Sequence, residues 1–507
     1  MVGVTSTVPQ SGTVEQAEVA HRADAFVAEL SEWLRIPSIS ADPGHHGDVA
    51  RSAAWLEATL RRDGWPTVEI WGRASGATGD GGRASGATGD GDDTAALPAV
   101  YAHWPAADPA APTVLVYGHH DVQPADLEDG WSFAPFEPQV VGEELRGRGA
   151  SDDKGHIAMV LLGVRAHLAV TGTGAPAVSL KLLVEGEEES GSAHLADLLA
   201  AHGDALACDE IVVTDTGMVD REVPTVCTGM RGMVDLEVVF HGAAVDLHSG
   251  QFGGAVPNPV TELATLVAAF HDDAGRVAVP GFYDDVREPT AREREAWAAL
   301  PFDEPAWLAG SAAGATATAG EDGWSTYERL WARPTAEVNG LHGGYAGPGH
   351  KTIVPHVATL KMTFRLVADQ DPARIKGLLE RFVADRVPAG IDARVSTGGP
   401  GVPPLICDLD SDLVASIREA MGIALGAEVL PAREGGSGPE ALLTTALGAP
   451  LAFLGVMLPG DRIHAPDERA VLPLLLRGAE AIAHLWRLLG ERAASEEAPS
   501  RRAQLHP

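Results

Sequence analysis

The stretch "VSLKLLVEGEEESGS", residues 178–192, changes character halfway along. Its first half, 178–184, is a short apolar run of strand length, and it predicts a buried strand. Its second half holds Glu185, Glu187, Glu188 and Glu189, four carboxylates within five positions. Like charges this close repel, and a buried strand end does not suit a solvated acidic face. The offsetting groups must therefore come from elsewhere in the chain.

Outward from this point the pattern alternates. "TVLVY" (113–117) reads as a short buried strand, "GHIAMVLLGVRAHLAV" (155–170) as a helix, 192–201 as a helix and "EIVVTD" (210–215) as a strand. Upstream, Val19, Ala23, Phe26, Val27, Leu30, Trp33 and Leu34 show helical spacing within 14–35, ahead of Pro37, and a second amphipathic helix covers 50–62. Alternating strands and helices predict an α/β domain, a mostly parallel sheet flanked by helices. Ligands in such sheets bind beyond the C-terminal strand ends. From about 226 the texture changes to a strand–helix–strand–helix–strand unit, interrupted by a polar excursion at 281–333. The expected organisation is a catalytic domain in two parts, 14–225 and 401–490, around an inserted α+β domain at 226–400. Residues 491–507 are expected to be a disordered tail. The tandem "GRASGATGDG" of 72–81 and 82–91 is expected to be a mobile surface loop, because its composition supplies nothing to pack.

Composition narrows the function. Among 507 residues, 71 are acidic and 37 basic, for a net charge of −34, which argues against nucleic acid or an anionic membrane as partner. No apolar run approaches the roughly 20 residues needed to span a bilayer. The N-terminal "MVGVTSTVPQSGTVEQ" lacks the basic and apolar regions of a signal peptide. Cys208, Cys227 and Cys407 are far apart and form no CxxC pair, which suits a reducing cytoplasm.

Four other places carry ligand-type residues at predicted strand or helix ends. They are "VYGHHDVQP" with His119, His120 and Asp121; "GRGASDDKGH" with Asp152 and Asp153; "VVTDTG" with Asp215; and "DRIHAPDER" with His464. Histidine and carboxylate without thiolate is a ligand set for zinc or manganese. Two divalent ions side by side would offset the repulsion at 185–189, as in dinuclear hydrolytic sites. Each signal alone has a plainer reading. An acidic run can be a solvated helix start, a strand-terminal Asp a helix cap, and His464 a surface histidine.

Taken together, these motifs resemble the carnosinase-like dipeptidases, a branch of the M20 metallopeptidases. Relatives include glutamate carboxypeptidases, aminoacylases, and acetylornithine and succinyl-diaminopimelate deacylases. The resemblance runs from about 25 to 488. It rests on "YGHHDVQPA", "GRGASDDKGH", "EGEEESGS", "LHSGQFGGAVPNP", "EVNGLHGGYAGPGHKTIVP", "FRLVADQDP", "REGGSGPE" and "HAPDE". "GFYDDV", "LPFDE" and "YERLWARPT" also resemble the dipeptidase branch.

The resemblance implies a zinc-exopeptidase-like catalytic domain with a ferredoxin-like insertion that serves as lid and homodimer contact. It implies two divalent ions, Zn2+ first with Mn2+ or Co2+ as alternatives. His119 and Asp215 would hold one, Glu189 and His464 the other, and Asp152 both, with a cis peptide to Asp153. Asp121 would orient His119, and Glu188 would be the general base for a water whose pKa the ions lower. His248, reaching a partner subunit's site, would stabilise the oxyanion. Arg365 would clamp the substrate carboxylate, and Thr352, Gly436 and Ser437 would line the pocket. Lys154, Arg231 and His156 are read as structural or supporting. Glu187, His120 and Gly438 depart from the family pattern. The implied reaction is hydrolysis of small peptides with a free C-terminus. An N-acyl-amino-acid amidohydrolase and a metal-free binding homologue are the alternatives.

Overall fold

The computed structural model describes residues 12–72, 96–310, 312 and 314–504. The duplicated decapeptide therefore lies, from Arg73 onward, outside the described residues. The chain divides into two compact units: 1–228 with Cys407–Ala432 and Leu442–Pro507, and Gly229–Ile406 with Arg433–Ala441.

In the first unit a six-stranded sheet runs in the order Thr67–Trp71, Ala99–Trp104, Ser179–Glu185, Thr113–His119, Glu210–Val213, Leu451–Phe453. The last four strands are parallel, and the first two add antiparallel pairs at one margin. The core strands are apolar on both faces because helices cover both, as parallel sheets require. The helix Lys154–Thr171 is buried along nearly its whole first three turns. The helix Val14–Leu34 starts at Thr13, whose hydroxyl accepts from the Gln16 N–H, and buries Val19, Phe26, Leu30, Trp33 and Leu34.

The tail did not follow expectation. Helix Leu472–Gln504 runs into the segment read as disordered, as far as Gln504. Arg487 reaches Glu491 one turn on, and Arg492 donates to the Asp412 carbonyl and to Glu419, so side-chain pairs hold the helix as far as Arg492. No helix among the described residues is long and apolar enough to cross a membrane.

The second unit is a β-α-β-β-α-β arrangement. Its antiparallel sheet runs Thr335–Gly343, Val357–Leu366, Gly232–His241, Asp392–Ser396. Helices Pro259–Ala269 and Pro372–Ala384 cover one face, burying Val234, Leu236, Phe240, Leu360, Phe364 and Leu379. This is the ferredoxin-like topology. The edge strand Thr335–Gly343 went unread in the sequence because most of its side chains are exposed and it lacks an apolar alternation. Segment Arg433–Ala441 also groups here, a correction to its assignment within 401–490. Buried Arg433 pairs with Glu293, and Arg365 with Ser437, so its partners lie in this unit.

Candidate metal centre

Parallel register delivers the ligand-type residues to one edge of the first unit's sheet. His119 stands opposite Glu185, and Tyr117 opposite Val213. Two further residues along each chain bring His119 level with Asp215. Gly118 lets the strand approach the next loop closely, since a Cβ there would sit 2.4 Å from Asp153 Oδ2. That oxygen accepts the His119 N–H at 3.1 Å. The Asp152–Asp153 peptide is cis.

Two clusters of ligand atoms share one residue. His119, Asp152 and Asp215 form one group able to hold a metal ion, and Asp152, Glu189 and His464 form the other. His119 Nε2 lies 3.0 Å from Asp152 Oδ1 and 3.4 Å from Asp215 Oδ2. His464 Nε2 lies 3.0 Å from Asp152 Oδ2 and 3.1 Å from Glu189 Oε2. The donor set fits divalent ions on a structural test. His119 Nε2 is buried and makes no hydrogen bond despite two carboxylate oxygens beside it, as expected of an atom aimed at a cation. The charge balance agrees. Burial opposes protonation of His119, yet Asp121, Asp152 and Asp215 hold its pKa well above the ordinary value. Asp152 and Glu189 push His464 up to about 10. The centre concentrates negative charge and attracts any positive charge offered.

Each acid of the opening stretch has a distinct surrounding. Glu185 accepts from the Tyr117 and Ser192 hydroxyls, and burial pushes its carboxyl up to about 7. Glu187 accepts from the Leu97 N–H, the His194 N–H and His194 Nδ1. Glu189 meets His464 and accepts from the Gln123 N–H and side-chain amide. Glu188 alone of the four has no hydrogen bond or ion pair on its carboxylate among the described residues. It is partly buried, and its pKa is raised by burial and by Asp215, Glu189 and Asp121 against the pull of His119.

Asp121 takes a role the sequence did not reveal. His119 Nδ1 faces the Asp121 carbonyl at 3.1 Å, with the Asp121 carboxylate at 3.4 Å. That carboxylate mainly accepts the backbone N–H groups of Glu188 and Glu189, at 3.2 and 3.0 Å. It thus ties the acidic turn to the His119 strand. Buried His120, one of the departures, bonds the Pro98 carbonyl and is held neutral by burial, its pKa down at about 4. Lys154 donates to the Trp33 and Ile36 carbonyls at the end of the first helix, and His156 bridges Ser151 and Val456.

Sequence reading also missed Glu468. Its carboxylate is fully buried and accepts the N–H groups of Gly149, Ser151 and Asp152 together with Arg148. It fixes the loop that presents Asp152. Its place in the quoted "HAPDE" was the available signal. Glu468→Gln removes the counter-charge of buried Arg148 and one carboxylate oxygen of this cradle. Metal titration is expected to show affinity weakened about 10–100-fold with circular dichroism unchanged.

In the second unit the predicted substrate residues form two local groups. His248 pairs with Ile353 across a short ladder, next to Thr352, whose carbonyl accepts the Ser249 N–H. Arg365 Nη1 donates to Ser437 Oγ at 2.8 Å, beside Gly436. Gly438, another departure, leaves room for the Glu440 carboxylate, which a Cβ would approach to 2.6 Å.

An α/β sheet with paired histidine–carboxylate groups around a shared aspartate defines the metallohydrolase class. The model of peptidase family M20/M25/M40 matches residues 115–488, and the chain belongs to that family. It is accordingly a hydrolase of the metallopeptidase class. It is 31% identical to the Cys-Gly metallodipeptidase dug1 of Schizosaccharomyces pombe, over 71% of this chain and 73% of the relative. It is 30% identical to the Beta-Ala-His dipeptidase of Homo sapiens, over 82% and 80%. The solved M20 family metallo-carboxypeptidase Sso-CP2 from Sulfolobus solfataricus superposes with a TM-score of 0.77 at 29% identity, over 92% of this chain and 99% of that one.

Proposed function

We propose that this chain is a dipeptidase that hydrolyses the amide bond of dipeptides bearing a free C-terminal carboxylate. The observation that carries the reading is Glu188. Among the described residues it is the one of the four acids without a partner, directly beside Glu189 and two residue groups that fit divalent ions. His119, Asp152 and Asp215 would hold one ion, and Asp152, Glu189 and His464 the other. Bound there, a pair of ions supplies Lewis acidity and a lowered pKa for water. Glu188 takes the proton of the attacking water and delivers it to the leaving amine. Asp121 keeps the Glu188 turn and the His119 ring in register. Zinc is the first choice of metal and manganese or cobalt the alternatives, since imidazole and carboxylate suit all three.

On the second unit, Arg365 takes the substrate carboxylate, and Thr352, Gly436 and Ser437 line the pocket. His248 donates to the oxyanion. Its Nδ1 accepts the Gly250 N–H at 3.0 Å, so the proton of the neutral ring sits on Nε2, which then faces outward as a donor. We place the enzyme in the cytoplasm, as a homodimer formed through the inserted domain.

The deacylase alternative uses the same centre, but relatives named as dipeptidases favour peptide substrates. The deciding measurement is turnover by the metal-loaded protein on Cys-Gly, β-Ala-His, other dipeptides and N-acetyl amino acids. Dipeptide turnover is expected to exceed that of every N-acetyl amino acid. The reverse order would assign the chain to the deacylases.

A further inference from the structure

At the end of the second unit's sheet two arginines, Arg231 and Arg365, have no carboxylate partner among the described residues. Arg365 stands opposite Met233, and Arg231 lies two residues before Met233 on the same chain. Side chains alternate along a strand, so Arg365, between the buried Phe364 and Leu366, projects on the face away from the two covering helices, while Arg231 lies in the link just before strand Gly232–His241. Neither forms an ion pair within 4.0 Å among the described residues. The acidic charges that act on them are Glu337 for Arg231 and Asp235 for Arg365.

Both arginines hold the same loop. The Arg231 N–H donates to the Gly436 carbonyl at 3.0 Å, and Arg231 Nε donates to the Gly435 carbonyl at 2.9 Å. Arg365 Nη1 donates to Ser437 Oγ at 2.8 Å. The guanidinium of Arg231 packs onto Gly435, where a Cβ would sit 3.1 Å from Arg231 Nη2. Among the described residues only one side-chain nitrogen of each arginine makes a hydrogen bond, which leaves further N–H donors on each guanidinium. Burial, then the charge of Arg365, holds Arg231 down at about 10. Two adjacent, partly buried like charges are costly unless an anion joins them.

We propose that Arg231 is a second substrate-binding guanidinium, and that the peptide's terminal carboxylate is held jointly by Arg231, Arg365 and the Gly435–Ser437 loop. A carboxylate has two oxygens, and one guanidinium can serve each with charge-assisted bonds. Arg231 thereby moves from a supporting residue to a determinant of specificity for free carboxylates. This inference rests on the dipeptidase reading.

The test compares glycylglycine with glycylglycine amide, on the metal-loaded protein and on Arg231→Gln, Arg231→Lys and Arg365→Met. For glycylglycine, KM is expected to rise on the order of 10–100-fold in Arg231→Gln and in Arg365→Met, with kcat nearly kept. The amide, bound weakly by the wild type, should respond little. Arg231→Lys should regain most of the lost binding, since it keeps the charge while losing the Gly435 bond. Equal losses on both substrates, or a lysine variant as poor as the glutamine one, would make Arg231 a loop support and overturn the proposal. So would an unchanged KM. Should Arg231→Gln fail to fold, Arg231→Lys decides alone. A lysine variant that binds both ligands equally badly overturns the idea. A lysine variant that keeps the preference for the carboxylate supports it. Calorimetric binding of both ligands to Glu188→Gln distinguishes failure of the arginine pair from failure of the dipeptidase reading. A wild type that cleaves no dipeptide sinks the dipeptidase reading. The carboxylate-over-amide preference in binding, and its loss in Glu188→Gln/Arg231→Gln, judges the arginine pair without turnover.

Discussion

Glu188→Gln is expected to keep the fold and both metal ions and to lose kcat/KM by about 10²–10⁴-fold, the usual worth of a positioned general base. The other three acids of 185–189 are committed: Glu185 to two hydroxyls, Glu187 to His194 and Leu97, and Glu189 to His464 and Gln123. Of the four, only the Glu188 carboxylate has no partner among the described residues. An amide of the same shape leaves the turn intact, because Asp121 holds it through the backbone N–H groups of Glu188 and Glu189 and not through the side chain of Glu188. The measurement pairs steady-state kinetics with metal analysis of the same preparation. Loss of metal from this variant would mean that Glu188 and Glu189 have been given each other's roles. Glu189→Gln should instead lose metal first, because its oxygen lies in the cluster with Asp152 and His464.

Much of the candidate site was legible because its ligand-type residues sit where strands end. The Val/Leu-rich strands Thr113–His119 and Ser179–Glu185 announce themselves by apolar runs, and polar residues directly after such runs stand out. His119, Asp215 and the acidic turn were found that way. The support beneath them was not legible, because each supporting residue acts at long sequence distance through backbone groups. Asp121 reaches the N–H groups of residues 188 and 189, Glu468 those of residues 149, 151 and 152, and Glu187 that of Leu97. An acid that satisfies backbone donors looks, in sequence, like any other acid. Edge strands failed for a related reason. Thr67–Trp71 is only five residues long and Thr335–Gly343 is mostly exposed, so no sustained apolar run marks either. The segment Arg433–Ala441 follows α/β texture in sequence, yet its partners Glu293, Arg231 and Arg365 belong to the second unit.

Subunit mixing is expected to return about a quarter of wild-type activity from two nearly dead variants, Glu188→Gln and His248→Ala. The His248 ring is exposed, and its Nε2 has no partner among the described residues once Nδ1 has taken the Gly250 N–H. A donor of this kind can serve its own chain or a neighbouring one. If it serves the neighbour in a two-fold dimer, each site combines Glu188 of one subunit with His248 of the other. A mixed dimer then holds one site with both defects and one with neither. Random exchange makes about half the dimers mixed, so about a quarter of all sites become intact. If His248 serves its own chain, every site in every dimer keeps one defect and no activity returns. Native mass spectrometry verifies exchange before the assay, so a flat result after verified exchange sinks the crossing role. Recovery would make the dimer obligatory for catalysis, and it would place the Nε2–H donor of His248 at the neighbour's oxyanion, where removing one such donor costs on the order of 10²–10³ in kcat.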